Sequence, residues 1–395
     1  MATYLAPGVY VEEIPPLARP IAGVGTSTAG FIGKVDNGVT MPPGETVAVA
    51  GTPTLCTNWE EFKNHFGDFQ PGNLRLALAV FGFFNNGGKS CWVLRVAVDA
   101  DLNNLTNPLA ALEPIDEIAI VAAPGVTDNG QKLLMMQHCM RMDDRVAVLD
   151  GLNVTTFSVA AINGVDITTF AKENTYGALY FPWLKIRNPI YKRNFVAADP
   201  PEVKTEFVVQ PPSGHVAGVY ARVDSTRGVY KAPANESVFG VVSPDDGKQL
   251  TRNQQEALNP KGINVIRAFG GTTLIYGART LGGDLNGEFR YISVRRYMNF
   301  LKESIDEGTQ FVVFEPNTPA LWQRVIRSVG DFLYNQWGEG ALFGETAKQA
   351  FYVKCDAETN PPSVREAGQL ITEIGVAIVK PAEFVIFRIQ QTTGA

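Results

Sequence analysis

Apolar positions along this chain fall mostly into short β-branched and aromatic runs fenced by glycine, proline and asparagine, with longer helical stripes in the last third. The first run, Tyr4-Leu5-Ala6-Pro7-Gly8-Val9-Tyr10-Val11-Glu12-Glu13-Ile14, lies between Pro7-Gly8 and Pro15-Pro16. The double proline blocks a helix and removes backbone donors, so residues 1–20 are expected to leave the body as an extended arm. Near the other end, Glu383-Phe384-Val385-Ile386-Phe387-Arg388-Ile389-Gln390 has the composition of an apolar strand. Exposed terminal strands invite aggregation unless a sheet accepts them. The pattern admits two hosts: a neighbouring copy completed by strand addition, or the chain's own sheet.

Between the arms the pattern changes style twice. Residues 21–35 predict a strand flanked by turns, and 37–53 a loop. Asn58 is a candidate cap for a helix starting at Trp59. Residues 74–84 predict a buried helix stopped by Asn86-Gly87-Gly88, with a strand at 91–96. From 118 to 150, two short apolar strands (118–125 and 145–150) flank a helix at 132–141, the signature of a buried parallel sheet. A further strand is expected at 177–183, a helix at 216–222 and a surface loop or an edge excursion over 187–212. In the last third, a helical stripe uses positions 292, 294, 297, 298, 301 and 305. A strand is expected at 310–314, then Thr318 as cap and Pro319 as first residue of a helix running to Gly338. Strands at 351–355, 370–379 and 383–389 complete an α+β pattern distinct from the α/β middle, with a boundary in the glycine-rich 270–285 region.

The chain has 395 residues, 45% hydrophobic and 19% charged, a globular composition that suffices for two or three domains. A net charge of −6 gives no basic field that would advertise nucleic acid as a partner. No secretory leader pattern and no apolar stretch of spanning length occurs, so synthesis in the cytoplasm and no direct membrane insertion are expected. The four cysteines (56, 91, 139, 355) and three histidines (65, 138, 215) are scattered, which disfavours a metal site and predicts reduced, buried thiols.

Three segments resemble parts of subtilisin-like serine proteases: Ser213-Gly214-His215-Val216-Ala217-Gly218, Val146-Ala147-Val148-Leu149-Asp150-Gly151 and Gly25-Thr26-Ser27-Thr28-Ala29-Gly30. Their order opposes that chemistry, because that family runs Asp, His, Ser along the chain and Ser27 precedes both others. A nucleophile must reach its imidazole within about 3 Å, so Ser27 and His215 are expected to be structural and no catalytic residue is assigned. There is no phosphate-cradling G-x-x-x-x-G-K-[ST] motif, and no cofactor is expected. The acidic pairs 12/13, 60/61 and 143/144 suit solvated faces.

A longer set of motifs closely resembles the contractile tail sheath proteins of phages and phage-tail-like injection particles. It comprises Ala6-Pro7-Gly8-Val9-Tyr10-Val11-Glu12-Glu13, Gly82-Phe83-Phe84-Asn85-Asn86-Gly87-Gly88, and Pro211-Pro212-Ser213-Gly214-His215-Val216-Ala217-Gly218-Val219-Tyr220-Ala221-Arg222. It continues with Leu258-Asn259-Pro260, Tyr276-Gly277-Ala278-Arg279-Thr280-Leu281, Arg290-Tyr291-Ile292-Ser293, Val313-Phe314-Glu315-Pro316-Asn317 and Pro381-Ala382-Glu383-Phe384-Val385-Ile386-Phe387. These follow one another in order over nearly the whole chain.

The resemblance implies an arm at 1–20, a subtilisin-like α/β sheath domain at 21–275, a tube-facing α+β domain at 276–382 and a second arm at 383–395. It implies a non-enzymatic subunit that stacks as hexameric rings around an inner tube and contracts to drive the tube through a target membrane. The implied partners are further copies of the chain, the tube protein, baseplate and terminator or cap proteins, and paralogous sheath proteins. The implied setting is assembly in a bacterial cytoplasm, as part of a virion tail or a released particle. Arm contacts between subunits are expected at Val9, Tyr10, Val11, Glu12, Ile14, Phe384, Val385, Ile386, Phe387 and Ile389. Arg295, Arg296, Lys302, Arg324 and Arg327 are expected to face an acidic tube. The readings that compete are a subtilisin-like hydrolase and a non-contractile tube or capsid protein.

Overall fold

A computed structural model describes residues 20–154, 156–164, 168–245 and 250–386. The N-terminal arm residues Val9, Tyr10, Val11, Glu12 and Ile14, and Phe387 and Ile389 of the C-terminal arm, lie outside the described residues. The strands are β1 (Ala29–Lys34), β2 (Pro53–Cys56), β3 (Cys91–Val96), β4 (Ile120–Ala122), β5 (Val146–Asp150), β6 (Gly177–Phe181), β7 (Leu184–Arg187) and β8 (Phe207–Gln210). They continue as β9 (Glu236–Ser237), β10 (Ser243–Pro244), β11 (Ile263–Phe269), β12 (Thr272–Ile275), β13 (Phe351–Lys354) and β14 (Glu373–Val376). The longer helices are α1 (Trp59–Phe66), α2 (Leu74–Asn85), α3 (Asn129–Met142), α4 (Ser213–Arg227), α5 (Ile292–Thr309) and α6 (Pro319–Gly338).

Backbone packing divides the chain within α5. Of the described residues, one unit holds 23–303 with 378–386, and the other holds 304–377 with 20–22. The glycine-rich 270–285 region lies inside the larger unit.

In the larger unit a nine-stranded sheet runs β2-β3-β1-β4-β5-β6-β11-β12-β9. The six strands from β3 to β11 are parallel, and β2, β12 and β9 add antiparallel edges. Alternation along each strand sends neighbours to opposite faces: Phe31, Val146 and Val148 join one core, and Ile32, Ala147 and Leu149 the other. Helices α2 and α4 cover the first face, and Met135, Met136 and Cys139 of α3 the second. The stretch 187–212, expected as a surface loop or an edge excursion, contributes strand residues, because β7 and β8 pair within a second, three-stranded sheet.

Helices α2 and α4 meet through small residues. A Cβ on Gly214 would sit 2.5 Å from the Ala79 carbonyl oxygen, and one on Gly218 would sit 2.4 Å from that of Phe83. Gly82 of α2 leaves the space that the His215 ring fills, 2.5 Å from where its own Cβ would be. His215 is therefore buried in the first turn of α4, and burial lowers its pKa to about 4. Asn86 stops α2 and stitches it outward. Its Nδ2 donates to the Phe239 carbonyl (3.1 Å), its Oδ1 accepts from the Phe239 N–H (2.8 Å), and Arg222 of α4 donates to its carbonyl (2.9 Å).

In the smaller unit, α6 buries Leu321, Trp322, Val325, Val329, Phe332 and Leu333 along one stripe, which Ile326 and Trp337 extend as half-buried members. Thr318 is extended and Pro319 opens the helix as expected, but the threonine side chain makes no capping bond. The strand expected at 310–314 does not form. Gln310–Val312 is a 3₁₀ turn that follows α5 directly, Val313 and Phe314 are exposed, and Phe314 takes a left-handed φ of 66°. An apolar run without a partner strand gains no ladder, so β propensity alone does not hold it. Strands β13 and β14 pair antiparallel as a two-stranded sheet.

Two consequences can be measured. Gly218→Ala should destabilise the protein by about 1–2 kcal/mol, because overpacking against backbone outweighs alanine's helix propensity. Gly330→Ala in α6 has open space at the Cβ position and should stabilise by up to about 1 kcal/mol. Urea unfolding of both variants decides, and equal effects would sink the packing argument. His215 binds its proton near 6.5 in the unfolded chain and near 4 in the fold, so its contribution to stability is lost as pH falls through that window. The stability of wild type relative to His215→Leu should therefore fall between pH 7 and pH 4, whereas a pH-independent difference would show that the ring is not held neutral.

Candidate assembly surfaces and the buried charge network

The protease-like segments converge only in part. Asp150, buried at the C-terminal end of β5, accepts the Ser213 N–H (2.9 Å), the Ser213 hydroxyl (2.8 Å) and the Gly125 N–H (2.9 Å). Burial pushes its pKa up to about 6 against these bonds. The carboxyl thus holds the start of α4, and its oxygens are occupied by backbone and serine donors instead of the imidazole. His215 Nδ1 has no hydrogen-bond partner among the described residues, and its ring lies against Gly82. Ser27 precedes β1, so it lies at the N-terminal end of the parallel strands while Asp150 lies at the C-terminal end, about 20 Å away along the strand direction. These three residues do not form a catalytic set. All four cysteines are buried and unpaired, and no cluster of three metal-ligating side chains occurs among the described residues.

The basic residues expected at a tube surface separate into two groups. Arg295 and Arg296 are buried inside the larger unit, which corrects the expectation that they present charge outward. Arg295 donates to Thr175 Oγ1 (2.8 Å) and lies 3.6 Å from the Phe289 ring centroid and 4.1 Å from that of Tyr176. Arg296 makes a two-pronged pair with Asp224 (2.5 and 2.9 Å) and donates to the Thr26 carbonyl (2.9 Å). Helical spacing placed both on α5, but their acceptors are 72 residues or more away in sequence, so the sequence could not show that they point inward.

The other three are accessible. Lys302 is partly exposed and paired with Asp143 (2.6 Å), which also accepts the Tyr176 hydroxyl. Arg324, on α6, lies over the Phe311 ring (5.1 Å) and 3.9 Å from a Glu315 carboxylate oxygen. Arg327 is exposed one turn further along.

Of the C-terminal arm, Phe384, Val385 and Ile386 are described. They are 69–77% exposed and belong to no strand. The residue before them is held firmly, an arrangement that composition did not signal. Glu383 Oε1 accepts from Asn259 Nδ2 (2.7 Å) and Arg279 Nε (2.9 Å), and its Oε2 accepts from Arg279 Nη2 (2.7 Å) and the Tyr291 hydroxyl (2.9 Å). Every member of this cluster stands in one of the motif segments, and that coincidence was the available clue.

Comparison with known proteins places the chain. Residues 102–281 match the phage tail sheath protein central domain, and 284–392 the phage tail sheath C-terminal domain. The tail sheath protein of Vibrio phage KVP40 is 27% identical over 179 residues, 45% of this chain and 25% of that protein. That of Burkholderia phage BcepMu is 27% identical over 194 residues, 47% of this chain and 39% of that protein. The matched part thus spans well under half the length of these curated relatives. Among solved structures, the sheath complex of the extracellular contractile injection system PVC, in its contracted state, superposes with a TM-score of 0.73 at 27% identity, covering 99% of both chains. The contracted helical sheath of the anti-feeding prophage does so at 0.73 and 29%, covering 99% of this chain and 100% of that one. With both family domains matched in order and a fold shared from end to end with sheath subunits, the chain belongs to the phage tail sheath protein family.

Proposed function

We propose that this chain is a structural, non-enzymatic subunit of the sheath of a contractile phage tail or an extracellular contractile injection system. The observation that carries this reading is the likeness over 99% of both chains to a sheath subunit solved in a contracted assembly. Subunits joined by a heterologous contact that does not close build a helix. Stacked six-subunit rings of this kind surround an inner tube, end on a baseplate and a cap, and belong to a tail or released particle assembled in the cytoplasm. Contraction releases energy stored in a metastable extended arrangement, whose lifetime is set by a barrier.

The arms supply the links that survive contraction. Phe384, Val385 and Ile386 project into solvent with an apolar sequence, and β13–β14 is a two-stranded sheet whose outer edges can accept strands. Strand addition from neighbouring copies fits both features, with Val9, Tyr10, Val11, Glu12 and Ile14 in the N-terminal arm and Phe387 and Ile389 continuing the C-terminal one. Toward the tube, Arg324 and Arg327 of the smaller unit are the best-placed cations, with Lys302 a third. Single exposed pairs contribute only about 0–1 kcal/mol, but repetition over every ring makes a weak contact hold while each copy still lets go.

Expression with the neighbouring structural genes, followed by negative-stain microscopy, should show hollow tubes of two lengths and widths, and only narrow or uniform tubes would rule out contraction. Deleting residues 1–20 should leave a folded subunit that cannot polymerise, a claim refuted if normal tubes persist. Reversing charge at Arg324 and Arg327 together should reduce extended particles several-fold while sheath-only polymers still form. Particle counts and salt sensitivity equal to wild type would remove these residues from the tube contact.

A further inference from the structure

We propose that Glu383 is the root of the C-terminal arm, a positioning residue whose multiple anchoring fixes where and in which direction the arm leaves each subunit to reach a second copy. The proposal rests on the sheath reading above. Three separated segments converge on this one carboxylate of the arm: Asn259 at the end of a short helix, Arg279 after β12 and Tyr291 just before α5. Charge-assisted bonds, and a forked arginine pair above all, define direction as well as contact.

The anchor is itself buried and bonded on several sides. The Arg279 side chain is 4% exposed, and Arg279 Nη1 donates to the Asn259 carbonyl (3.1 Å) and to Asp284 Oδ1 (2.8 Å). The Arg279 backbone is clipped to the sheet by Asn264 of β11, which accepts its N–H (2.7 Å) and donates to its carbonyl (2.8 Å). Burial alone would raise the Glu383 pKa, but the bonds from Arg279, Asn259 and Tyr291 outweigh it and hold the carboxyl ionised below its ordinary range. Immediately after this fixed point the side chains of Phe384, Val385 and Ile386 are open to solvent. A rigid base followed at once by exposed apolar residues is what strand addition to another copy requires, since an arm of defined direction loses less conformational entropy on pairing.

The test uses the full chain with Glu383→Gln, which keeps the shape and removes the charge while leaving Arg279 paired with Asp284. Tyr291→Phe, which removes a single donor, is the milder second variant. In the isolated subunit, chymotryptic cleavage after Phe384 should accelerate about tenfold or more in Glu383→Gln and less in Tyr291→Phe, with the urea midpoint of the body nearly unchanged. Under conditions where wild type forms tubes, Glu383→Gln should form several-fold fewer, and Glu383→Asp should recover part of the loss. Unchanged cleavage in Glu383→Gln would overturn the anchor, and faster cleavage with wild-type tube yield would overturn its role in assembly. Should wild type form no tubes at all, the sheath reading fails, and the cleavage rates still decide whether Glu383 holds the arm.

Discussion

The six parallel strands at the centre of the large sheet carry apolar side chains on both faces, so each face must be covered before the sheet is stable. This requirement sets the positions of α2 and α4 on one side and α3 on the other. On the α2–α4 side the cover is tight enough that glycines are needed at the crossing, and His215 is accommodated only because Gly82 has no side chain. Asp150 serves the same end. By holding the first residue of α4 through backbone and hydroxyl bonds, it fixes the helix against the end of β5.

Ionic groups fasten this layered body from within. The Arg296–Asp224 pair joins α5 to α4, and Arg295 lies between Phe289 and Tyr176. Pairs of this kind add little net stability against an apolar replacement, yet losing one partner leaves a buried charge at a cost of about 3–5 kcal/mol. They therefore select one placement of the first turns of α5 within the larger unit. At Glu383 a fixed carboxylate precedes an exposed apolar segment.

Much of the fold was legible in the sequence. The helices at 74–85 and 319–338 and the strands at 91–96, 146–150 and 177–181 follow from local periodicity and stop signals, since each has a complete apolar stripe and a clear terminator. The order of motifs also identified the family before any coordinates, as the two matched domains bear out. The segment 310–314 has the composition of a strand, but it follows a helix with no strand beside it, and backbone pairing is not a local property. Strands β2, β7, β8, β9, β10 and β12 drew no expectation for the complementary reason, since short or polar segments become strands when a neighbouring edge accepts them, and β11, longer and inside the parallel sheet, drew none either.

What the sequence determined by itself was therefore everything governed by nearest neighbours along the chain: where helices start and stop, which runs are apolar, and the motif string that marks the family. Only the tertiary structure decided which charges face inward. Arg295, Arg296, Arg324 and Arg327 look alike as cationic positions on helices, yet Asp224 and Thr175 capture the first two while the last two remain accessible. The partner of a buried charge is chosen by packing between elements far apart in sequence. Desolvation makes that choice costly to alter, and no local pattern encodes it.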